Sequence, residues 1–252
     1  MSRRFVGDVA LVTGAGSGIG RATALALSRE GATVVVAGRR KEPLAETVRL
    51  IQEGGGEADL CVADVASTED VSRMLGDIID SHGRLHVAVN NAGTFAATPV
   101  AEMERPAWDD VVATNLTGIF VCMQQEISHM RAHGGGTIVN VASNKGAHVR
   151  APRLGAYVAS KAAVSMLTRT AARESIAEGV RINAVSPGAS DTSMSLRPGE
   201  THADRAERLK ASIPAGRVAE LDEVANAILW LASPESSFVV GHDLVVDGGE
   251  SA

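Results

Sequence analysis

Short apolar runs alternate with longer helix-period segments from one end of this chain to the other, and that alternation constrains the fold more than any single motif. Val9-Ala10-Leu11-Val12 is a continuous apolar run, read as a buried strand. A glycine-rich turn and a helix to about Glu30 follow, stopped by Gly31. Thr33 to Ala37 reads as the second strand. Pro43 begins a helix to about Glu53, ended by Gly54-Gly55-Gly56. Ala58 to Val62 is the third strand, and Ser67 reads as an N-cap with Glu69 and Asp70 in the first turn behind it. Val87-Ala88-Val89, Thr137 to Val141, Val180 to Val185 and Leu244-Val245-Val246 are four further strands. Helices are expected from about Pro106 to Ala132, through Tyr157 and Lys161 to about Glu178, and from Leu221 to Leu231. Strict alternation predicts an α/β fold: a doubly wound parallel sheet of about seven strands with helices on both faces. No stretch reads as a linker or repeat, so residues 1–252 are expected to form a single domain. One region, about 188–214, looks irregular; it follows a strand's carboxyl end and is read as a substrate lid.

Bulk properties exclude several functions. The net charge of -6 argues against a nucleic-acid surface. Cys61 and Cys122 sit in apolar runs and read as buried, reduced thiols. The first residues lack the apolar core of a signal peptide, and no apolar run is long enough to span a bilayer. A cytoplasmic protein with no membrane or nucleic-acid partner is expected.

The chemistry gathers at the strand ends. After the first strand comes Thr13-Gly14-Ala15-Gly16-Ser17-Gly18-Ile19-Gly20. Glycines there let the backbone approach a pyrophosphate seated on the next helix N-terminus, which makes Gly14, Ser17, Gly18, Ile19 and Gly20 candidate dinucleotide contacts. A carboxylate after the second strand would hold the ribose 2′-hydroxyl of NAD; this chain has Gly38-Arg39-Arg40 instead. Arg39 can pair with a 2′-phosphate, which favours NADP(H) and leaves NAD(H) possible. Asp64, followed by Val65, can accept from an adenine amino group. Asn90-Asn91-Ala92-Gly93 follows the fourth strand, where small residues allow close approach and amides can tie strand ends together. Asn115 stands at a helix-unfavourable position, Ser143 follows the fifth strand, and Pro187, Gly188 and Thr192 follow the sixth. All of these fall at the carboxyl edge, where doubly wound sheets bind ligands.

Tyr157, the one tyrosine in the chain, lies four residues before Lys161, so both project from one helix face. A fixed ammonium should lower the phenol pKa and make Tyr157 a proton donor and acceptor for an alcohol or carbonyl. His82, His86, His129 and His133 have no metal-ligand spacing and read as structural; no metal is expected. His148, Arg150, Pro152 and Arg153 lie between Ser143 and Tyr157, and His148 could touch substrate.

With Thr13-Gly14-x-x-x-Gly18-x-Gly20, Asn90-Asn91-Ala92-Gly93, Asn115, Ser143, Tyr157-x-x-x-Lys161, Pro187-Gly188 and Val246-Asp247-Gly248-Gly249 in this order, the sequence resembles the short-chain dehydrogenase/reductase family over nearly its whole length. The resemblance implies a Rossmann-like domain and a catalytic tetrad of Asn115, Ser143, Tyr157 and Lys161. It implies reversible hydride transfer between a nicotinamide and a carbonyl or secondary alcohol. Ser143 would orient the substrate oxygen, Lys161 would hold the nicotinamide ribose, and Asn115 would help hold a water relay. Pro187, Gly188 and Thr192 would position the carboxamide, and Asn91, Ala92 and Gly93 would contact the dinucleotide. The segment from Ser143 to Tyr157 is one residue longer than the family's usual spacing. The resemblance also implies a homotetramer, with a homodimer as the alternative, whose paired helices are those around Asn115 and Tyr157. A dinucleotide-binding sensor without catalysis stays open as a different class of function.

Overall fold

The computed structural model describes residues 3–252. Seven strands form one parallel sheet in the order β3-β2-β1-β4-β5-β6-β7. They are β1 (Val9–Thr13), β2 (Thr33–Gly38), β3 (Ala58–Val62), β4 (Val87–Asn90), β5 (Gly136–Val141), β6 (Val180–Pro187) and β7 (Asp243–Val246). The chain winds outward from β1 to β3, then returns to lay β4 on the other side of β1. The connections around β1 and β4 therefore part in opposite directions and open a crevice at their carboxyl ends.

Both sheet faces are buried, which is why the strands read as unbroken apolar runs rather than alternating ones. The period of two is still present in the packing. Ala10 and Val12 of β1, with Val34 and Val36 of β2, enter the core beneath α1 (Gly18–Arg29), α2 (Lys41–Glu53) and α9 (Leu221–Ala232). Val9 and Leu11, with Val35 and Ala37, enter the opposite core beneath α3 (Thr68–His82), α5 (Gly118–Ala132) and α7 (Gly155–Ser175). Ser67 caps α3 by accepting from Asp70 N at 3.1 Å, as the sequence predicts.

Four expectations need correction. The helix expected over 106–132 divides into α4 (Arg105–Val112), a π-helical turn at Ala113–Thr117, and α5. The helix through Tyr157 ends at Ser175 and tightens into a 3₁₀ turn over Ile176–Glu178. A single helical turn, α6 (Asn144–Ala147), precedes it. The region about 188–214 is not irregular: α8 (His202–Lys210) lies in it, opened by a capping box in which Thr201 Oγ1 accepts from Asp204 N at 3.2 Å and Asp204 Oδ2 accepts from Thr201 N at 3.0 Å. Cys122 is buried as expected, but Cys61 is only half-buried; both are free thiols whose pKa burial pushes up.

Candidate active site

The crevice opens into a cavity of about 1180 Å³ at the carboxyl edge of the sheet. Its floor is built by strand ends tied to one another. Thr13 Oγ1 accepts from Asn91 N at 3.0 Å and Ala92 N at 3.1 Å, and Asn91 Nδ2 donates to Thr13 O at 2.9 Å. These bonds join β1 to the segment after β4, the role expected of the Asn90-Asn91 amides. Gly14 has φ +66°, and a Cβ there would lie 2.9 Å from Ala92 Cα, so this position requires glycine.

Of the predicted cofactor residues, Gly14, Ser17, Gly18, Ile19, Arg39, Asp64, Val65, Asn91, Ala92, Gly93, Pro187, Gly188 and Thr192 all line the cavity. Gly20 does not. It is buried in α1, where a Cβ would fall 2.4 Å from Gly14 O; its absent side chain lets the helix seat on the turn. The α1 N-terminus suits a phosphate. Ser17 makes no side-chain cap bond and the first turn holds no acid, so its N–H groups face the cavity without a protein anion. Arg39 and Arg40 are exposed on the same wall, at the end of β2. Asp64 is half-buried, with Oδ1 accepting from Ala66 N at 3.0 Å.

Ser143, Tyr157 and Lys161 converge on the cavity past the end of β5. Ser143 caps α6, accepting from Lys145 N at 3.1 Å, and its hydroxyl also interacts with the Tyr157 phenol. Lys161 is buried, and its Nζ donates to Val141 O at 2.6 Å. An ammonium has three donors, so one bond to a carbonyl leaves two for ligand hydroxyls. Burial without a carboxylate partner lowers the Lys161 pKa to about 8. Tyr157 departs from expectation. Its pKa is raised by burial and only partly offset by Ser143, and Lys161, engaged with Val141, does not bring it down.

Asn115 is fully buried and is not on the cavity wall. It sits in the π-helical turn, where Oδ1 accepts from Thr94 N and Nδ2 donates to Thr94 O, both at 2.8 Å. This pair of bonds fixes the irregular segment after Gly93, where a Cβ would lie 3.4 Å from Asn115 Oδ1 and 3.7 Å from Lys161 Nζ. A widened turn at an asparagine is what the helix-unfavourable residue was marking.

The histidines hold structure. His86 Nδ1 accepts from Val9 N at 3.0 Å, His129 Nε2 accepts from Leu85 N at 3.2 Å, and His82 pairs with Asp59 at 3.1 Å. His148 turns away from Tyr157 to Asp243, at 3.0 Å, a buried carboxylate that also accepts from Ser165 and Ser186 at 2.6 Å each. No cluster of metal-ligating side chains occurs among the described residues. Several lining residues carry no motif signal in the sequence, Asn144 and Glu250 among them. Asn144, next to Ser143, donates to Glu250 at 2.8 Å and Asp247 at 3.2 Å, folding the residues after β7 against the cavity. A polar residue directly behind Ser143 was the available signal for Asn144; Glu250 had none.

Known proteins share the sequence pattern and the fold. The chain matches, over residues 14–251, a family model described as enoyl-(acyl carrier protein) reductase. It is 43% identical over 243 residues to an A-factor type gamma-butyrolactone 1′-reductase (1S-forming) of Streptomyces virginiae, covering 96% of this chain and 94% of that one. To a cis-4-hydroxycyclohexanecarboxylate dehydrogenase of Sinomonas cyclohexanicum it is 41% identical over 254 residues, with 100% of each chain covered. A short-chain type dehydrogenase/reductase from Mycobacterium marinum superposes with a TM-score of 0.94 at 34% identity, over 100% of this chain and 98% of that one. With that fold, the strand-end motifs and these relatives together, the chain belongs to the short-chain dehydrogenase/reductase family and is an NAD(P)-dependent oxidoreductase of alcohols and carbonyls.

Proposed function

We propose that the protein reduces a carbonyl substrate with NADPH, reversibly, with Tyr157 as the proton donor. The observation that carries this reading is the convergence of Tyr157, Ser143 and Lys161 on one cavity with an uncapped helix N-terminus at its other end. The nicotinamide, when bound, supplies or accepts the hydride. Everything else is done by side chains. Tyr157 keeps its proton at neutral pH because burial raises its pKa, and that is the state needed to protonate a carbonyl oxygen. Ser143 donates to the same oxygen and holds it beside the phenol. Lys161, charged below about pH 8, offers its two remaining N–H donors to ribose hydroxyls. Asn115 acts through Thr94 and the turn around Gly93 rather than on the reacting atoms.

The preference for NADP(H) rests on Arg39, Arg40 and Lys41 after β2, a run of three cations before the first acid, Glu42. We place the phosphates at Gly14, Ser17, Gly18, Ile19 and the α1 N-terminus, the adenine beside Asp64 and Val65, and the carboxamide against Pro187, Gly188 and Thr192. Two separate apolar surfaces support a homotetramer. Trp108, Phe120 and Met166 are exposed on α4, α5 and α7, and Trp230, Phe238 and Val240 are exposed on α9 and near the β7 edge. Two self-complementary faces close a four-subunit assembly, where one would stop at a dimer.

Turnover with NADPH and with NADH across a panel of ketones, aldehydes and secondary alcohols tests the reading. Oxidation of NADPH by a ketone is the expected result. A dinucleotide-binding protein that turns over nothing in the panel would be a sensor instead.

A further inference from the structure

The cavity wall beyond Tyr157 carries charge that proton and hydride transfer do not require. The protein has a net charge of -6, yet Lys145, Arg150, Arg153 and Arg197 line this end of the cavity. Among the described residues, none of the four is in an ion pair, whereas Arg208 nearby is neutralised by Glu200. Two acids also line the cavity: Asp64, placed after β3, and Glu250, whose Oε2 accepts from Asn144 Nδ2 at 2.8 Å and which leaves the four cations in excess.

Arg153 carries a second and independent signal. Its φ is +69°, the one positive value at a residue other than glycine among the described residues. An L side chain is strained there and persists only where its surroundings hold it. The next residue, Leu154, is bridged to Thr98, and α7 begins at Gly155, so the backbone on that side is fixed. The guanidinium itself makes a single long hydrogen bond, to Ala97 O at 3.4 Å. An arginine is thus kept, in a conformation that suits glycine, at the cavity wall four residues before Tyr157. Phe95 and Met194, large and exposed, line the cavity with it.

We propose that this end of the cavity is an oxyanion site, and that the substrate is a carbonyl or hydroxy compound with an apolar body and a carboxylate or phosphate group. Arg153 and Arg150 bind the anion, since a guanidinium fork matches either group in a bidentate way. Phe95 and Met194 cover the carbon skeleton. The assignment of substrate class rests on the hydride-transfer reading; the anion site itself does not.

The test uses matched ketones that differ only in charge: 4-acetylbenzoate against its methyl ester, and dihydroxyacetone phosphate against dihydroxyacetone. At least one anion should exceed its neutral partner in kcat/KM by about tenfold or more. Which pair shows the effect tells carboxylate from phosphate. The preference should collapse in Arg150→Gln/Arg153→Gly, and glycine accepts φ +69° at 153, so misfolding does not explain the collapse. Equal or better use of the neutral ketones, or a preference that survives in the double variant, overturns the anion site. Calorimetric titration of each pair into the Tyr157→Phe protein with NADPH reads binding without turnover. Tighter binding of an anion than of its neutral partner supports the site, and equal affinity overturns it. Absence of turnover with every ketone counts against the hydride-transfer reading alone.

Discussion

Arg205 and Asp191 form the ion pair around which the segment after β6 folds: Nη2 of the buried arginine lies 2.6 Å from Asp191 Oδ1. Arg205 Nη1 also donates to Ser195 Oγ at 2.9 Å, so one side chain on α8 ties down Asp191 and Ser195 of the segment that follows β6. The hydrogen bond from Arg205 keeps the Asp191 carboxyl below its ordinary pKa. Arg205→Met should therefore loosen the segment after β6 without unfolding the sheet. Amide exchange between Ser190 and Leu209 should speed up by about tenfold or more while β4 and β5 stay protected. Unchanged exchange across this segment would show that Arg205 is not its anchor.

Tyr157→Phe should lower turnover by about 10²- to 10⁴-fold, the usual worth of a positioned proton donor. The variant keeps the ring and its packing, so dinucleotide affinity should stay within about threefold of the parent. Fluorescence titration with NADPH and steady-state kinetics on the same preparation measure both. Substantial remaining turnover would remove Tyr157 from its role.

Arg39→Asp should reverse the cofactor preference. The change removes a partner for a 2′-phosphate and adds an acceptor for a 2′-hydroxyl, each an effect of about 1–3 kcal/mol. The ratio of kcat/KM for NADPH to that for NADH reads it directly. A parent enzyme that already prefers NADH would show that Arg39 is a solvated surface residue.

Glu126 offers a pH prediction far from the cavity. It is fully buried between α5 and the sheet, held by Asn90 Nδ2 at 2.9 Å, and burial raises its pKa from 4.5 to about 7. The native state keeps this proton at pH values where the unfolded chain has lost it. The group's contribution to stability is therefore full below 4.5 and falls as pH rises toward about 7. Glu126→Gln cannot ionise and should gain up to about 3 kcal/mol over the parent at pH 8, with little difference at pH 4.5. Thermal unfolding at fixed protein concentration at the two pH values measures the gap; parallel pH profiles would place the ionisation elsewhere.

The frame was legible because burial on both sheet faces writes each strand as an apolar run, as in Val9 to Val12 and Thr33 to Ala37. Strand-end motifs were legible for a related reason: Gly14 and Asn91 are constrained by backbone geometry that few residues satisfy. Three features were hidden. The π-helical turn depends on Asn115 meeting Thr94, a contact between residues 21 apart that no local pattern encodes. Helix α8 buries only Arg205 and Leu209, so it lacks an apolar stripe. The Tyr157 pKa is the third: sequence spacing places Lys161 beside the phenol but does not encode that Nζ turns to Val141 O.

The bonds between Thr13 and Asn91 have a consequence for how this scaffold can change. Each sets a side chain of one residue against the backbone of the other, so the glycine turn is held from both sides at once, whereas the far wall hangs on single side chains such as Arg153 and Arg205. Drift or directed evolution can therefore rewrite the second wall by ordinary point substitutions, and leave the first untouched. Libraries aimed at new substrates belong in 145–154 and 193–209, where variation is separable from the machinery that handles the cofactor.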